Sequence, residues 1–157
     1  MRKFLYWFGA VAAVVVVVLI VGIGYLAYVG SGADKESKLY ADSAIVAITT
    51  HWNPAELQSR ETPELMASVD KDQLKLIFGQ FRRLGNLVKY GGSKGSATIF
   101  ASVDAGSKVT ANYVGSATYE NGVASIELLL QKIHGAWMIN GFRVNSPVLF
   151  QKPVQQL

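Results

Sequence analysis

The stretch Tyr119–Val144, YENGVASIELLLQKIHGAWMINGFRV, decides how the second half of the chain folds. Its apolar and polar side chains alternate, which is the pattern of a β-strand with one buried face. Asn121-Gly122 is a strong hairpin signal because both residues tolerate positive φ, and His134-Gly135 marks a second turn. Two tight turns between long strands predict an antiparallel meander with strands over Lys108–Glu120, Val123–Ile133 and Ala136–Val144.

Two shorter strands, Leu87–Tyr90 and Ala97–Val103, are predicted before this meander. Between them lies the glycine-rich segment Gly91–Gly95. It lacks the spacing and the following helix of a phosphate-binding loop, so we predict an ordinary flexible loop there. Glycines inside long strands often mark bulges, which we expect at Gly115 and Gly141.

The residues before the strands show the three- and four-residue spacing of amphipathic helices. One helix is predicted over Asp34–Thr50, and Asn53-Pro54 and Thr62-Pro63 each predict the start of a short helix, because an N-cap residue precedes an N1 proline. A longer helix over Asp70–Leu84 ends at Gly85. Helices followed by a meander predict an α+β fold, in which about three helices pack into the concave face of one curved antiparallel sheet. The predicted apolar stripe of the first helix is Leu39, Tyr40, Ala44, Ala47 and Ile48, widened by Ile45 and Val46.

The segment Phe4–Val29 carries no charged residue and no proline. It exceeds the roughly 20 apolar residues that span a bilayer as a helix, so we predict a single transmembrane anchor. Arg2 and Lys3 precede it, and positive charge stays cytoplasmic, so we expect a cytoplasmic N-terminus and an extracytoplasmic (periplasmic) C-terminal domain at the inner membrane. The alternative is a signal peptide cleaved near Ala33, but such apolar regions are only about 7–15 residues long.

Gly9 and Ala13 form a small-xxx-small pair that would let a partner helix approach closely. The predicted organisation is therefore an anchor over residues 1–30, a linker over 31–37, a domain over 38–146 and a C-terminal tail over 147–157. The tail would be a short edge addition or a partner-binding peptide.

The order of helix, short helices, helix and then the strands of the opening stretch is similar to that of the nuclear-transport-factor-2-like superfamily, a cone-shaped α+β fold. Within it, the chain resembles small bacterial envelope domains in which a phrase like Gly135-Ala136-Trp137-Met138-Ile139 opens the last strand. The resemblance covers about Lys38–Val144 and implies a cone. It also implies that an acid–base enzyme of this kind would place an aspartate, often with histidine or tyrosine, deep in the cone.

Few residues fit such chemistry. His134 lies in a predicted turn, His51 lies at a helix end, and Glu127 is expected on the outer sheet face. Asp42 is the best acid for a cone interior, but Lys38 stands four residues before it, so a surface ion pair is the favoured interpretation. The chain has no cysteine, and two isolated histidines do not make a zinc site. We predict no catalytic residue, no cofactor and no metal.

Four aromatic residues have two interpretations: Tyr113, Tyr119, Trp137 and Phe142 would either line a ligand cavity or fill the core between sheet and helices. Core packing is the favoured interpretation.

The charge balance of 15 Lys+Arg against 11 Asp+Glu gives +4, and removing Arg2 and Lys3 leaves +2. So small an excess argues against a nucleic-acid partner. We therefore expect a non-catalytic binding or scaffold subunit that docks on an envelope or respiratory membrane complex. The alternatives are a small-ligand sensor or carrier and an assembly component similar to the bitopic subunits of type IV secretion systems.

Overall fold

The computed structural model describes residues 32–102 and 106–151. The predicted anchor Phe4–Val29, with its Gly9 and Ala13 pair, lies outside the described residues. Within the described ranges, no helix is both long enough and apolar enough to cross a membrane.

In the described ranges, four antiparallel strands form one sheet in chain order, accompanied by five α-helices. The α+β prediction is confirmed, since helices pack on a four-stranded antiparallel sheet. The strands are β1 (Leu87–Ser102), β2 (Gly106–Tyr119), β3 (Gly122–Ile133) and β4 (Ala136–Asn145). The helices are α1 (32–49), α2 (Pro54–Gln58), α3 (Pro63–Ser68), α4 (Lys71–Phe81, continued by a 3-10 turn over Arg82–Leu84) and α5 (Pro147–Phe150).

The helix starts follow the predicted caps. The side chains of Asn53 and Thr62 accept hydrogen bonds from the backbone N–H groups of Ala55 and Leu65, each ahead of an N1 proline. Helix α1 includes residues 32–37, the stretch predicted as a linker, and the compact unit begins at Asp34. Helix α5 lies within the stretch predicted as a tail.

The buried stripe of α1 shares Ala44, Ile45 and Ile48 with the predicted one but does not include Leu39, Tyr40 or Ala47. Leu39 is 64% exposed, whereas the stripe that packs on the sheet consists mostly of small residues: Ser37, Ala41, Ala44, Ile45, Ile48 and Thr49. Small side chains let the helix lie close to the strands, as at Gly115, where an added Cβ would come within 2.9 Å of Ile45 Cδ1. The hydrophobic pattern alone does not reveal this, because serine and threonine are counted as polar.

The predicted loop at Gly91–Gly95 is wrong, because this segment lies inside the single 16-residue strand β1. Tyr90 pairs with Ala117 and Ser93 pairs with Gly115, so β1 carries one extra residue there. A bulge absorbs that residue without ending the strand, and Gly92 supplies a φ of +84°. The two short predicted strands are therefore one.

The bulge expected at Gly141 is confirmed, because Gly141 pairs with Leu129 while Ile139 pairs with Leu130. The bulge expected at Gly115 lies instead on the neighbouring strand β1. Gly115 has a different role, since it leaves room for α1 and for the ring of Tyr90.

The turn between β2 and β3 comes one residue earlier than predicted, at Glu120-Asn121, because Tyr119 pairs with Gly122. The end of the α4 segment holds it there: the Asn86 backbone N–H donates to the Glu120 carboxylate at 2.7 Å, and Asn121 Nδ2 donates to the Arg83 carbonyl at 2.8 Å. The second turn is as predicted, with positive φ at His134 and Gly135.

Both the backbone conformation and the neighbouring side chains require glycine at position 85. It adopts a φ of +80°, and an added Cβ would lie 2.5 Å from Glu120 Oε2. We expect Gly85→Ala to lower the free energy of unfolding by about 1–3 kcal/mol. Urea unfolding of the full chain in a mild detergent, followed by tryptophan fluorescence, measures this.

The matched control is Gly79→Ala in the middle of α4, where an added Cβ meets nothing within 4 Å. Alanine is the better helix former, so this variant should be more stable by roughly 0.5–1 kcal/mol. If both variants change the free energy of unfolding in the same direction, the role given to Gly85 is contradicted.

Candidate functional site

The four aromatic residues singled out from the sequence do not come together in one cavity wall. Tyr113 and Tyr119 lie on the inner face of β2 at 1% and 2% exposure, Trp137 is buried on β4, and Phe142 is half-buried. The Tyr113 hydroxyl lies 2.9 Å from Ser37 Oγ and donates to the Asp34 carbonyl. Tyr119 stacks against Trp52 with ring centroids 5.0 Å apart. Phe142 lines a cleft described below.

The two histidines are both exposed. His134 lies in the β3–β4 turn, and His51 precedes Trp52, whose indole donates to the Gly85 carbonyl at 3.0 Å. Glu127 lies on the outer sheet face and pairs with Arg143 at 3.4 Å. Among the residues that the structure describes, no group of three or more His, Asp or Glu side chains is arranged to hold a metal ion.

Asp42 joins α1 to the bulge of β1. Its Oδ2 accepts from Lys38 Nζ at 2.8 Å, which confirms the predicted ion pair. Its Oδ1 accepts three further hydrogen bonds: from the Tyr90 hydroxyl at 2.7 Å, the Ser93 hydroxyl at 2.6 Å and the Ser93 backbone N–H at 3.0 Å. Sequence reasoning missed these partners because they lie about 50 residues away across the unrecognised bulge.

Opposite shifts of pKa keep this network in one protonation state. Burial raises the pKa of Asp42, but hydrogen bonds from Lys38, Ser93 and Tyr90 outweigh it and lower the pKa overall. Burial and the bond to Asp42 raise the pKa of Tyr90 above its ordinary value. Because neither group titrates near neutral pH, the pair is suited to fixed hydrogen bonding rather than to acid–base catalysis.

Asp42→Ala should lower the free energy of unfolding by about 2–4 kcal/mol, because it leaves three donors without their acceptor. The folded pKa of Asp42 is depressed, so its contribution is complete above the unfolded pKa and is lost as pH falls through the folded pKa. The difference from wild type should therefore narrow on acidification. Urea unfolding at several pH values measures it.

Asp72→Ala is the control, since Asp72 is 84% exposed and pairs only with Lys75. Exposed pairs of this kind contribute little, so the control should lie within about 0.5 kcal/mol of wild type at every pH. Equal effects at Asp42 and Asp72 would show that Asp42 does not fasten the bulge.

A second polar residue, Glu61, lies where the sequence gives no signal. The segment between α2 and α3 pairs with β4, as Thr62 N donates to the Ile139 carbonyl at 2.8 Å and Ile139 N donates to the Arg60 carbonyl at 2.7 Å. This pairing leaves Glu61 only 7% exposed, in an apolar cleft of about 90 Å³. The cleft is lined by Leu57, Leu65, Val69, Leu74, Ile77, Phe78, Phe81 and Phe142.

Burial raises the pKa of Glu61, and the charge of Lys71 offsets this in part. Because the folded pKa lies above the unfolded one, the contribution of this group to stability is greatest below the unfolded pKa and falls as pH rises through the folded pKa. Glu61→Gln should therefore stabilise the protein at pH 7 by on the order of 1 kcal/mol. Urea unfolding at pH 7 and near pH 4 tests this.

Near pH 4 the stability difference should shrink, because the wild-type carboxyl is then largely protonated. The control Glu64→Gln changes an exposed acid on the next helix and should change stability little at either pH. A Glu61→Gln variant less stable than wild type at pH 7 would contradict this account.

A shallow groove of about 940 Å³ lies on the outer face of the sheet. We call it the outer groove. Its floor is a row of small polar residues in register, in which Ser116 pairs with Ser125 and Ser125 pairs with Asn145. Phe150 of α5 stands at its rim and is 81% exposed. The remaining lining residues are Lys89, Gly91, Ala117, Thr118, Val123, Ala124 and Pro147.

The comparisons with known proteins give no match: no family model, curated protein or solved structure matches this chain.

Proposed function

We propose that this chain is a single-pass membrane protein whose extracytoplasmic domain is a non-catalytic binding subunit. It docks on an envelope or respiratory membrane complex through the outer groove. The observation that carries the proposal is this open groove on the face of the sheet opposite α1.

The chemistry of the outer groove is that of an interface with a macromolecule. Hydroxyl and amide groups along its floor, at Ser116, Ser125 and Asn145, offer hydrogen bonds to a partner's backbone or side chains. Phe150 offers a large apolar ring, the kind of residue that contributes most to binding energy at interfaces. The groove is broad and shallow, which favours a protein surface over a small molecule that needs to be enclosed.

The inner face of the sheet supports the same proposal. Tyr113, Ile126, Leu128 and Ile139 are at most 1% exposed beneath the helices. The polar pair at its edge, Asp42 and Tyr90, is held in fixed protonation states. The helices and the sheet therefore supply a stable support, and the chemistry available to a partner lies on the other face.

The membrane attachment is proposed from the sequence. Phe4–Val29 is long enough to span the hydrocarbon core, and Arg2 and Lys3 favour a cytoplasmic N-terminus. A tethered domain stays close to membrane complexes, and its effective concentration near them is therefore high. A docking surface of modest affinity is then sufficient for binding. The cone-shaped fold implied by the superfamily resemblance is part of this proposal, and the packing of helices on one face of an antiparallel sheet supports it.

Phe150→Ser tests the docking face. We expect this variant of the intact chain, purified through an affinity tag in mild detergent, to recover the partner complex at roughly one-tenth of the wild-type level or less. Truncating an aromatic residue that a partner buries commonly costs that much affinity. Quantitative mass spectrometry of the recovered proteins provides the measurement.

Leu76→Ser is the matched control, because Leu76 is an apolar residue of α4 with 73% exposure and lies away from the groove. It should leave recovery unchanged. Unchanged recovery of the partner complex with Phe150→Ser would overturn the proposed docking face. If recovery is lost with Gly9→Leu but not with Phe150→Ser, the contact lies in the membrane instead.

A further inference from the structure

Glu61 is the only charged side chain that is buried in the part of the chain that the structure describes. A carboxylate loses much of its hydration on burial, and that loss is ordinarily offset by a cation or by hydrogen bonds. The carboxylate of Glu61 makes neither an ion pair nor a hydrogen bond with another described residue.

We propose that the cleft around Glu61 binds a small organic ammonium group, with the Glu61 carboxylate as its counter-ion and phenylalanine rings as its walls. This inference is independent of the outer groove, which lies on the opposite face of the sheet.

Neither of the cations near Glu61 forms an ion pair with its carboxylate. Arg60 is adjacent in sequence, but its guanidinium donates to the Glu56 carboxylate and to the Glu56 carbonyl. Lys71 acts on Glu61 through its charge without coming close enough for an ion pair. The Glu61 carboxylate is therefore left without a paired cation among the described residues, and its oxygen atoms remain accessible to a ligand.

The walls of the cleft suit an ammonium better than a metal ion. Phe78, Phe81 and Phe142 form a cluster with ring centroids 5.6 Å apart for the first pair and 6.2 Å for each of the other two. Aromatic faces attract organic cations, and quaternary ammonium groups are bound by several rings around one pocket. A hard metal ion would instead need several oxygen ligands, and among these lining residues only Glu61 carries a side-chain oxygen.

The size of the cleft limits the ligand. Its free volume of about 90 Å³ is well below the roughly 300–1,000 Å³ of sites that enclose drug-sized molecules. It would hold the ammonium end of a molecule and leave the rest outside. Such a group could come from a free amine such as choline or from the head group of a choline-containing lipid.

The experiment uses the full chain in a maltoside detergent, which carries no ammonium group. Choline chloride is titrated, and the amide NMR shifts of α2, α3, α4 and Phe142 are followed. The neutral isostere 3,3-dimethylbutan-1-ol is titrated in parallel. In a second arm, the full chain is placed in nanodiscs of phosphatidylglycerol with or without phosphatidylcholine.

We expect saturable shifts with choline, and roughly tenfold to hundredfold weaker binding in Glu61→Gln, because a charge-assisted contact is lost. That variant should remain at least as stable as wild type, so loss of binding cannot be ascribed to unfolding. Glu64→Gln should bind choline like wild type. Phe142→Leu should bind it more weakly while keeping an apolar side chain.

The two arms distinguish the sources. Shifts at the cleft with free choline assign the site to a soluble amine, and shifts only in phosphatidylcholine nanodiscs assign it to the lipid head group. Either result supports the proposal if the shifts disappear in the Glu61→Gln variant. Equal binding of choline and its neutral isostere, undiminished binding in Glu61→Gln, or no shift in either arm would overturn it.

Discussion

The three hydrogen bonds that Asp42 accepts from Tyr90 and Ser93 of β1 are the constraint on which the arrangement of the domain depends. They hold α1 against β1 at the point where the strand takes up its extra residue. The bulge turns Ser93 into the core while Gly91 opens onto the outer groove. One carboxylate therefore sets both the packing of the inner face and the shape of the outer one. Its ion pair with Lys38 adds little by comparison, because that pair is largely exposed.

The two faces of the sheet have different roles. The inner face is packed with large side chains such as Tyr113 and Ile126, and its stability comes from burying them. Around the outer groove, the outer face carries small polar residues, Ser116 and Ser125, beside Phe150 at the rim. An antiparallel sheet commonly has one such solvated face, so exposure alone says little. The informative features are the size of the groove, the register of its serines and the ring at its rim.

Local patterns predicted the elements well and the sites poorly. Alternation in Val123–Ile133 and the proline-linked caps at Asn53 and Thr62 act over a few residues, so the sequence shows them directly. The glycines of Gly91–Gly95 predict a loop because glycine gives the same signal in a loop and in a bulge. The sequence predicts the ion pair of Asp42 with Lys38, but it does not reveal the other partners of Asp42 or the burial of Glu61. Both come from distant segments, β1 for Asp42, and β4 with Phe142 for Glu61.

Within the described part of the chain, strand β1 pairs with β2 alone, so its other edge has no neighbouring strand there. Asp42 accepts from the Ser93 backbone N–H, and Asp34 accepts from the Ala97 backbone N–H at 2.6 Å. Unpaired strand edges are templates for aggregation, and proteins blunt them with bulges and charge. Carboxylates from α1 thus occupy donors that another copy of the chain would otherwise use. At these two positions the edge of β1 is therefore blocked against the strand-to-strand pairing that leads to fibril-like stacking.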